Sequence, residues 1–333
     1  MPAKVIPADR APWERSVTRP HLHIRILLAT CNGADQLAEQ LTSYESQSHP
    51  DWSLDVSDDG SRDGTQGLLM RFAKASPTRA IRLSDGPRNG SAANFLTLLQ
   101  RGVEAAPGAA MAFSDQDDVW LPGKLSRAAD WLVAHGAQEG EVLAWVCRTV
   151  LTGTKLEPRG ESRVFPRPPA FGNALVQNIL PGNTIVLSPA AARAVAATVP
   201  AALRAGVPYH DWWVYQVVTG IGGRVGIEPA PLVLYRQHGG NHLGHHDPVR
   251  GRLRRLGLVA RRRYGGWIDA NLAALTAHRT MLTPTNCDLL DSFAQARSRG
   301  GRSLARALPD LGLHRQTVQG DRLLRLLALT GRV

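Results

Sequence analysis

The segment Ser114-Asp115-Gln116-Asp117-Asp118-Val119-Trp120 sets three carboxylates within four positions behind an apolar run. Like charges this close repel, and the repulsion favours a divalent cation among them. Mg2+ or Mn2+ takes oxygen donors and shares its coordination with phosphate. A solvated acidic turn accounts for the same residues, and for a lone Asp-x-Asp it is the commoner case. A second segment, Ser57-Asp58-Asp59-Gly60-Ser61-Arg62-Asp63-Gly64-Thr65, joins a tight turn at Gly60 to helix-capping groups at Asp63 and Thr65. Its Asp58 and Asp59 suit a base N–H or a ribose hydroxyl, with turn and cap chemistry as the alternative. A third, His210-Asp211-Trp212-Trp213, sets a carboxylate beside two indoles. Burial there would raise its pKa toward that of a general base, and indole faces stack on sugars. A helix cap followed by core tryptophans is the plain reading. In Tyr235-Arg236-Gln237-His238-Gly239-Gly240-Asn241-His242, histidine, arginine and glycine follow a strand-like run. That mixture suits a phosphate or metal site, or simply a polar loop.

The elements that must position these residues follow from hydrophobic pattern. His23 to Ala29, Trp52 to Ser57, Ala80 to Leu83 and Ala109 to Ser114 read as strands. Helical patterns lie between them: Asp35 to Tyr44, the stretch bearing Leu68, Leu69 and Phe72, and Ala92 to Val103. Such alternation predicts a parallel sheet with helices on both faces, its strand C-termini along one edge. Thr30, Asn32, Asp58, Asp59, Asp115 and Asp117 all fall just past strand ends, where open α/β sheets bind ligands. Beyond residue 140 the pattern weakens. Strands are expected over Glu141 to Leu151, Asn183 to Ser188 and within Arg224 to Tyr235. Helices are expected over Pro189 to Ala197 and His210 to Val218, and a mobile Pro/Arg-rich loop over Pro158 to Ala170.

Charge divides the 333 residues unevenly. From Arg250 to Val333 there are 16 basic and 5 acidic side chains, whereas the other 249 residues hold 23 of each. The whole surplus of +11 therefore sits in the last quarter, which predicts a boundary near residues 245–250. Residues 1–20 are polar, without the apolar core of a secretory signal, and are expected to be a flexible leader. Residues 21–247 form the main domain and residues 248–333 a basic helical region. No run of about 18 apolar residues appears, so no membrane span is expected. Three cysteines without a Cys-x-x-Cys pair argue against a disulfide scaffold or thiolate zinc site and fit a reducing compartment.

Taken together, the segments Ile26 to Gly33, Ser57 to Thr65, Phe113 to Trp120, His210 to Trp213 and Tyr235 to Gly239 resemble, in order and spacing, the family 2 inverting glycosyltransferases. Phrases such as SDQDDVW, HDWW and YRQHG are similar to the bacterial rhamnosyltransferase-like branch, over roughly residues 22–245. The resemblance implies an α/β GT-A (Rossmann-like) fold, a mostly parallel mixed sheet flanked by helices, here with a basic helical C-terminal extension. It implies nucleotide-sugar binding by Thr30, Asn32, Asp58, Asp59, Asn89, Asp115 and Gln116. Mg2+ or Mn2+ would be held by Asp115, Asp117 and His238, with Asp117 as direct ligand. Asp211 would be the base, and Trp120, Trp212, Trp213 and Arg236 would line the acceptor and sugar sites. This chain departs from the pattern at Cys31, where an aromatic is usual, at Asp55 inside an otherwise apolar strand, and at Cys147-Arg148, near which relatives carry an Asp.

The implied reaction is a single displacement, the cation neutralising the diphosphate while Asp211 takes the acceptor proton. The donor would be dTDP-rhamnose or another nucleotide-diphosphate sugar. The acceptor would be a glycan or lipid-linked glycan of a cell-surface polysaccharide, at a cytoplasmic site. The basic tail would make a peripheral contact with the inner face of the plasma membrane, or a homo-oligomer contact, or remain a solvated cap. Two rivals remain. A nucleotidyltransferase would release pyrophosphate in place of nucleoside diphosphate. A nucleic-acid-binding protein would explain the pI of about 10.4, but the charge is confined to the tail and lacks interleaved aromatics, so no nucleic acid is expected.

Overall fold

The computed structural model describes residues 22–237 and 263–333. The expected leader, the boundary at 247–248 and His238 lie outside the described residues. Three strand–helix repeats and a fourth strand open the described chain as the pattern predicts: β1 (Ile24–Thr30), α1 (Leu37–Glu45), β2 (Trp52–Asp58), α2 (Thr65–Ala75), β3 (Ile81–Asp85), α3 (Gly90–Ala105) and β4 (Ala110–Ser114). β1 pairs in parallel with both β2 and β4, and β3 pairs in parallel with β2. Two elements that the apolar pattern did not announce follow, β5 (Val119–Trp120) and α4 (Lys124–Ala134). The sheet is completed by β6 (Leu143–Thr152), β7 (Pro158–Glu161), β8 (Val186–Leu187) and β9 (Arg224–Arg236). Its order is β3-β2-β1-β4-β8-β6-β9-β5, with β7 on β6. Pairing through β8 is antiparallel on both sides, so the sheet is mixed beyond β4.

Both faces are covered, which is why the central strands read as continuous apolar runs. Ile24, Ile26 and Leu28 of β1 pack with Leu37, Leu41 and Tyr44 of α1 and with Leu125 and Leu132 of α4. Leu27, one register step away, faces the other core with Phe95, Leu96 and Leu99 of α3. Asp55 inside β2 is explained on that pleat. It accepts from Arg25 on β1 at 2.7 Å and from Arg82 on β3 at 3.1 Å, so the polar intrusion is paired across three strands. At Cys147-Arg148 the β6–β9 register slips, opposite Pro231, which has no N–H to offer the ladder.

Two expectations are corrected. Residues 158–161 are not loop but strand β7, paired to β6 and tied by the Arg148–Glu161 ion pair at 2.6 Å. All four of its residues are exposed, so no apolar alternation marked it. Only Val186 and Leu187 of the expected 183–188 strand pair; residues 182–184 form a 3-10 turn instead. Helix α5 (Phe171–Ala174) precedes this turn, α6 (Pro189–Ala205) and α7 (His210–Gly220) follow it, and α6 runs on through Pro200.

The tail contributes α8 (Arg263–Ala277), α9 (Pro284–Ser298), α10 (Gly301–Asp310) and α11 (Val318–Leu329). Ile268, Leu272, Leu275, Leu290, Phe293 and Leu304 share one apolar core with α3, α6 and α7. Polar ties reinforce that seam. Asn286 donates to the carbonyls of Thr219 and Gly220, and Asn173 to that of His314. No helix among the described residues is long and apolar enough to cross a membrane.

Candidate active site

The C-terminal ends of β1, β2 and β4 place three loops side by side, and their side chains stitch them together. Gln116 bridges to β1 by a peptide-like clasp: its Oε1 accepts from the Cys31 N–H at 2.8 Å and its Nε2 donates to the Cys31 carbonyl at 3.0 Å. Gly33 makes room for the clasp, since a Cβ there would lie 2.3 Å from the Gln116 amide. Asn32, at positive φ, accepts from the Arg62 N–H at 2.8 Å, joining the first loop to the second. Asp58 is buried and accepts from Thr30, Ser61, Gln66 and the Ser61 N–H. Burial alone would raise its pKa, but these bonds outweigh it and hold the carboxylate below its ordinary range. Thr30, Asp58 and Gln116 thus tie the three loops to one another through their own side chains. Asp59 is only partly buried and receives the N–H groups of Arg88 and Gly90 at 2.5 and 3.2 Å, while Asn89 between them is exposed.

Past β4, ligand oxygens of Asp115, Asp117 and Asp118 lie within 4.8 Å of one another. Burial and the charges of Asp117 and Asp211 push Asp115 up to about 7, with Lys124 opposing. Asp118 is fully buried and committed to the protein by both oxygens. One takes the Asn183 amide at 2.5 Å, the other the Arg236 N–H at 3.2 Å. Three carboxylates crowded this closely form a hard-oxygen donor set that fits Mg2+ or Mn2+. Asp115 and Asp117 would hold the ion, since Asp118 serves as the bracket behind them.

The pattern reading passed over that bracket. Lys124 is fully buried, its ammonium 3.1 Å from the centre of the Trp120 ring and donating to the Asn183 carbonyl at 3.0 Å. Burial lowers it to about 7, while Cys147, Asp118 and Asp115 pull the other way. Asn183 therefore holds an acid through its side chain and a base through its backbone. The polar Pro181-Gly182-Asn183-Thr184 run was the available signal.

Asp211 lies on the first turn of α7. Its carboxylate accepts from the Trp212 N–H at 2.7 Å. Burial raises it to about 6 against that bond and those of Asn178 and Gly182. His210 beside it is stacked on Phe95 at 4.0 Å, and burial lowers it to about 3, so it is neutral. Gly182 fits against this pair, for a Cβ would meet His210 Nε2 at 2.7 Å. Asp211 and the acidic loop, distant in sequence, are thereby brought close enough for the charge of Asp211 to act on Asp115.

The aromatic expectations fail. Trp120, Trp212 and Trp213 are 1%, 4% and 0% exposed. The Trp212 and Trp213 indole N–H groups are spent on the Ala174 carbonyl and the Thr198 hydroxyl. Buried indoles present no face to a sugar. Arg236 is also inside, donating to the carbonyls of Asp117 and Thr154 and to Glu39. It shapes the acidic loop and does not face an acceptor.

Comparison with known proteins bears on the family and the fold. Residues 25–172 match the profile of glycosyl transferase family 2. The chain is 27% identical to the dTDP-rhamnosyl transferase RfbG of Shigella flexneri over 243 residues, 71% of this chain and 80% of that protein. It is 29% identical over 102 residues to WfgD of Escherichia coli, a UDP-Glc:alpha-D-GlcNAc-diphosphoundecaprenol beta-1,3-glucosyltransferase. That match spans 31% of this chain and 38% of WfgD. The fold is similar to that of S. aureus TarS 1-349 in complex with UDP-GlcNAc, with a TM-score of 0.51 and 14% identity over 87% of this chain and 91% of that one. Residues 25–172 thus carry a glycosyl transferase family 2 domain, in a glycosyltransferase with the GT-A fold.

Proposed function

We propose that the protein moves a sugar from a nucleotide-diphosphate donor to a glycan acceptor with inversion, using Asp211 as general base opposite a cation held by Asp115 and Asp117. The observation that carries this reading is the convergence of Asp211 on the acidic loop, where its charge acts on Asp115. A bound Mg2+ or Mn2+ would supply charge neutralisation to the departing diphosphate. Asp211, raised to about 6, is ionised at neutral pH yet basic enough to take the acceptor hydroxyl proton. Lys124, Asn183 and Asp118 keep the acidic loop in register with the turn that supports Asp211. Asp59, Asn32 and Asn89 sit at the rim formed by the first two loops and suit the nucleoside.

RfbG, by its name, transfers rhamnose from dTDP, which favours dTDP-rhamnose as donor. WfgD, by its name, acts on a diphosphoundecaprenol acceptor, which favours a lipid-linked glycan and hence work at a membrane surface.

The test is release of nucleoside diphosphate from candidate nucleotide-sugars with Mg2+ or Mn2+. EDTA should silence the enzyme reversibly, and Asp117→Asn should abolish transfer while the fold survives. Full turnover in EDTA would remove the cation from the reaction. Pyrophosphate as product would point to nucleotidyl transfer.

A further inference from the structure

We propose that the outward face of α11 is a docking surface for an anionic lipid bilayer. Eight large apolar side chains are exposed among the described residues, and four of them lie on this one helix. Val318, Leu323, Leu326 and Leu329 are 59%, 39%, 57% and 50% exposed, whereas Met70, Leu83, Val164 and Ile227 are scattered over four separate segments. Val318, Leu326 and Leu329 share a face with Arg322, and Leu323 and Arg325 flank it. Leu324, Leu327 and Ala328, on the opposite side, are buried in the core. A helix apolar on both sides is one whose two sides are both covered in use, and here only the inner side has its cover.

Charge selects the occupant. Arg322 and Arg325 are exposed, and among the described residues neither pairs with an acid. Asp321 is the sole acid on α11. It is turned inward, paired with Arg167 at 2.8 Å and accepting from the Arg315 N–H at 2.6 Å. The outer face is therefore leucine and arginine without a compensating carboxylate. A twofold contact between two copies would set these arginines near their own equivalents with no acid from α11 between them. Lipid phosphates provide the missing negative charge, and acyl chains accept the leucines.

The helix is also tied to the acceptor side of the site. Just before α11, the Gln316 N–H donates to Gln177 at 2.8 Å, and the next residue, Asn178, hydrogen-bonds Asp211. Docking on α11 would hold that side near a membrane-borne acceptor. This purpose rests on the lipid-linked acceptor proposed above, but the docking itself does not.

The experiment is co-sedimentation of the full chain with vesicles of phosphatidylcholine alone or mixed with phosphatidylglycerol, without donor or acceptor. The wild type should bind the mixed vesicles far better than the neutral ones, and salt should weaken it. Arg322→Gln with Arg325→Gln should lower binding to mixed vesicles roughly thirtyfold, about fivefold for each charge. Leu326→Ser with Leu329→Ser should lower it by at least about tenfold. Both variants alter only exposed side chains, so thermal unfolding and transfer to a soluble acceptor should match the wild type. Equal binding to neutral and mixed vesicles, or variants that bind like the wild type, would overturn the proposal. A concentration-dependent dimer that the leucine variant dissolves would assign the face to a second copy and overturn it equally. Failure of transfer with vesicle binding intact would refute the catalytic reading alone.

Discussion

At Asp211, the proposed base, function and stability pull in opposite directions. Its carboxyl is raised to about 6 by burial, above the roughly 3.9 of an unfolded Asp. The folded state therefore holds the proton more tightly, and the associated stability is complete below about pH 4 and lost as pH rises through about 6. At neutral pH the ionised group is a cost on the order of 3 kcal/mol. Asp211→Asn keeps the bond from the Trp212 N–H and removes the charge. We expect it to raise the unfolding free energy near pH 7 by that order and to change it little near pH 4, measured by denaturant titration of metal-free protein. The same change should lower turnover by about 10²–10⁴-fold, the usual worth of a general base. In the wild type, kcat should fall with acid below about pH 6. An Asn variant with normal turnover would leave Asp211 as a helix-start residue only.

At the scale of elements, the 3-10 turn at residues 182–184 matters more than its length suggests. Its Asn183 holds Asp118 and Lys124, and its Gly182 lies against His210 and Asp211. Both halves of the site thus hang on three residues. Gly182→Ala would force a Cβ to within 2.7 Å of the His210 ring and displace the start of α7. A shift of about 1 Å at a reacting group can cost about 10²-fold in rate. Gly182→Ala should therefore lose turnover by about that factor while donor affinity, read by isothermal titration, stays near wild type. Equal losses in affinity and turnover would mean that the turn supports the whole loop edge rather than the base.

At the scale of the whole molecule, the described residues are held by two apolar cores, one on each face of the sheet. The basic tail is built into the core beneath α3, α6 and α7. Phe293 on α9 is fully buried in that shared core. Phe293→Ala should cost about 3–5 kcal/mol. If the tail and the sheet unfold together, calorimetry should show one transition that moves down as a unit. A separate early transition in the variant would instead mark the tail as an independent unit.

The strand–helix repeats from β1 to β4 were legible because both periods are local. Each strand carries its own apolar run, and each loop begins with its own turn residues. The acidic loop and Asp211 were legible as residue types for the same reason, since Asp115, Asp117 and Asp211 stand beside the elements that present them. β5 and β7 were not, being short or exposed pieces that gain their pairing only from the neighbours they meet, and β8 was legible in place but not in its two-residue extent. Partner choice was also hidden. An aspartate in a strand-end loop faces a ligand or another side chain depending on what packs opposite, so Asp58 ended among Thr30, Ser61 and Gln66. The three tryptophans next to polar motifs read as sugar platforms, but burial of their large apolar area drew them into the cores. Sequence alone determined which groups with chemistry exist and on which local elements they ride. Tertiary packing decided which of them keep an open face, because hydrogen-bond saturation and burial depend on residues far away along the chain.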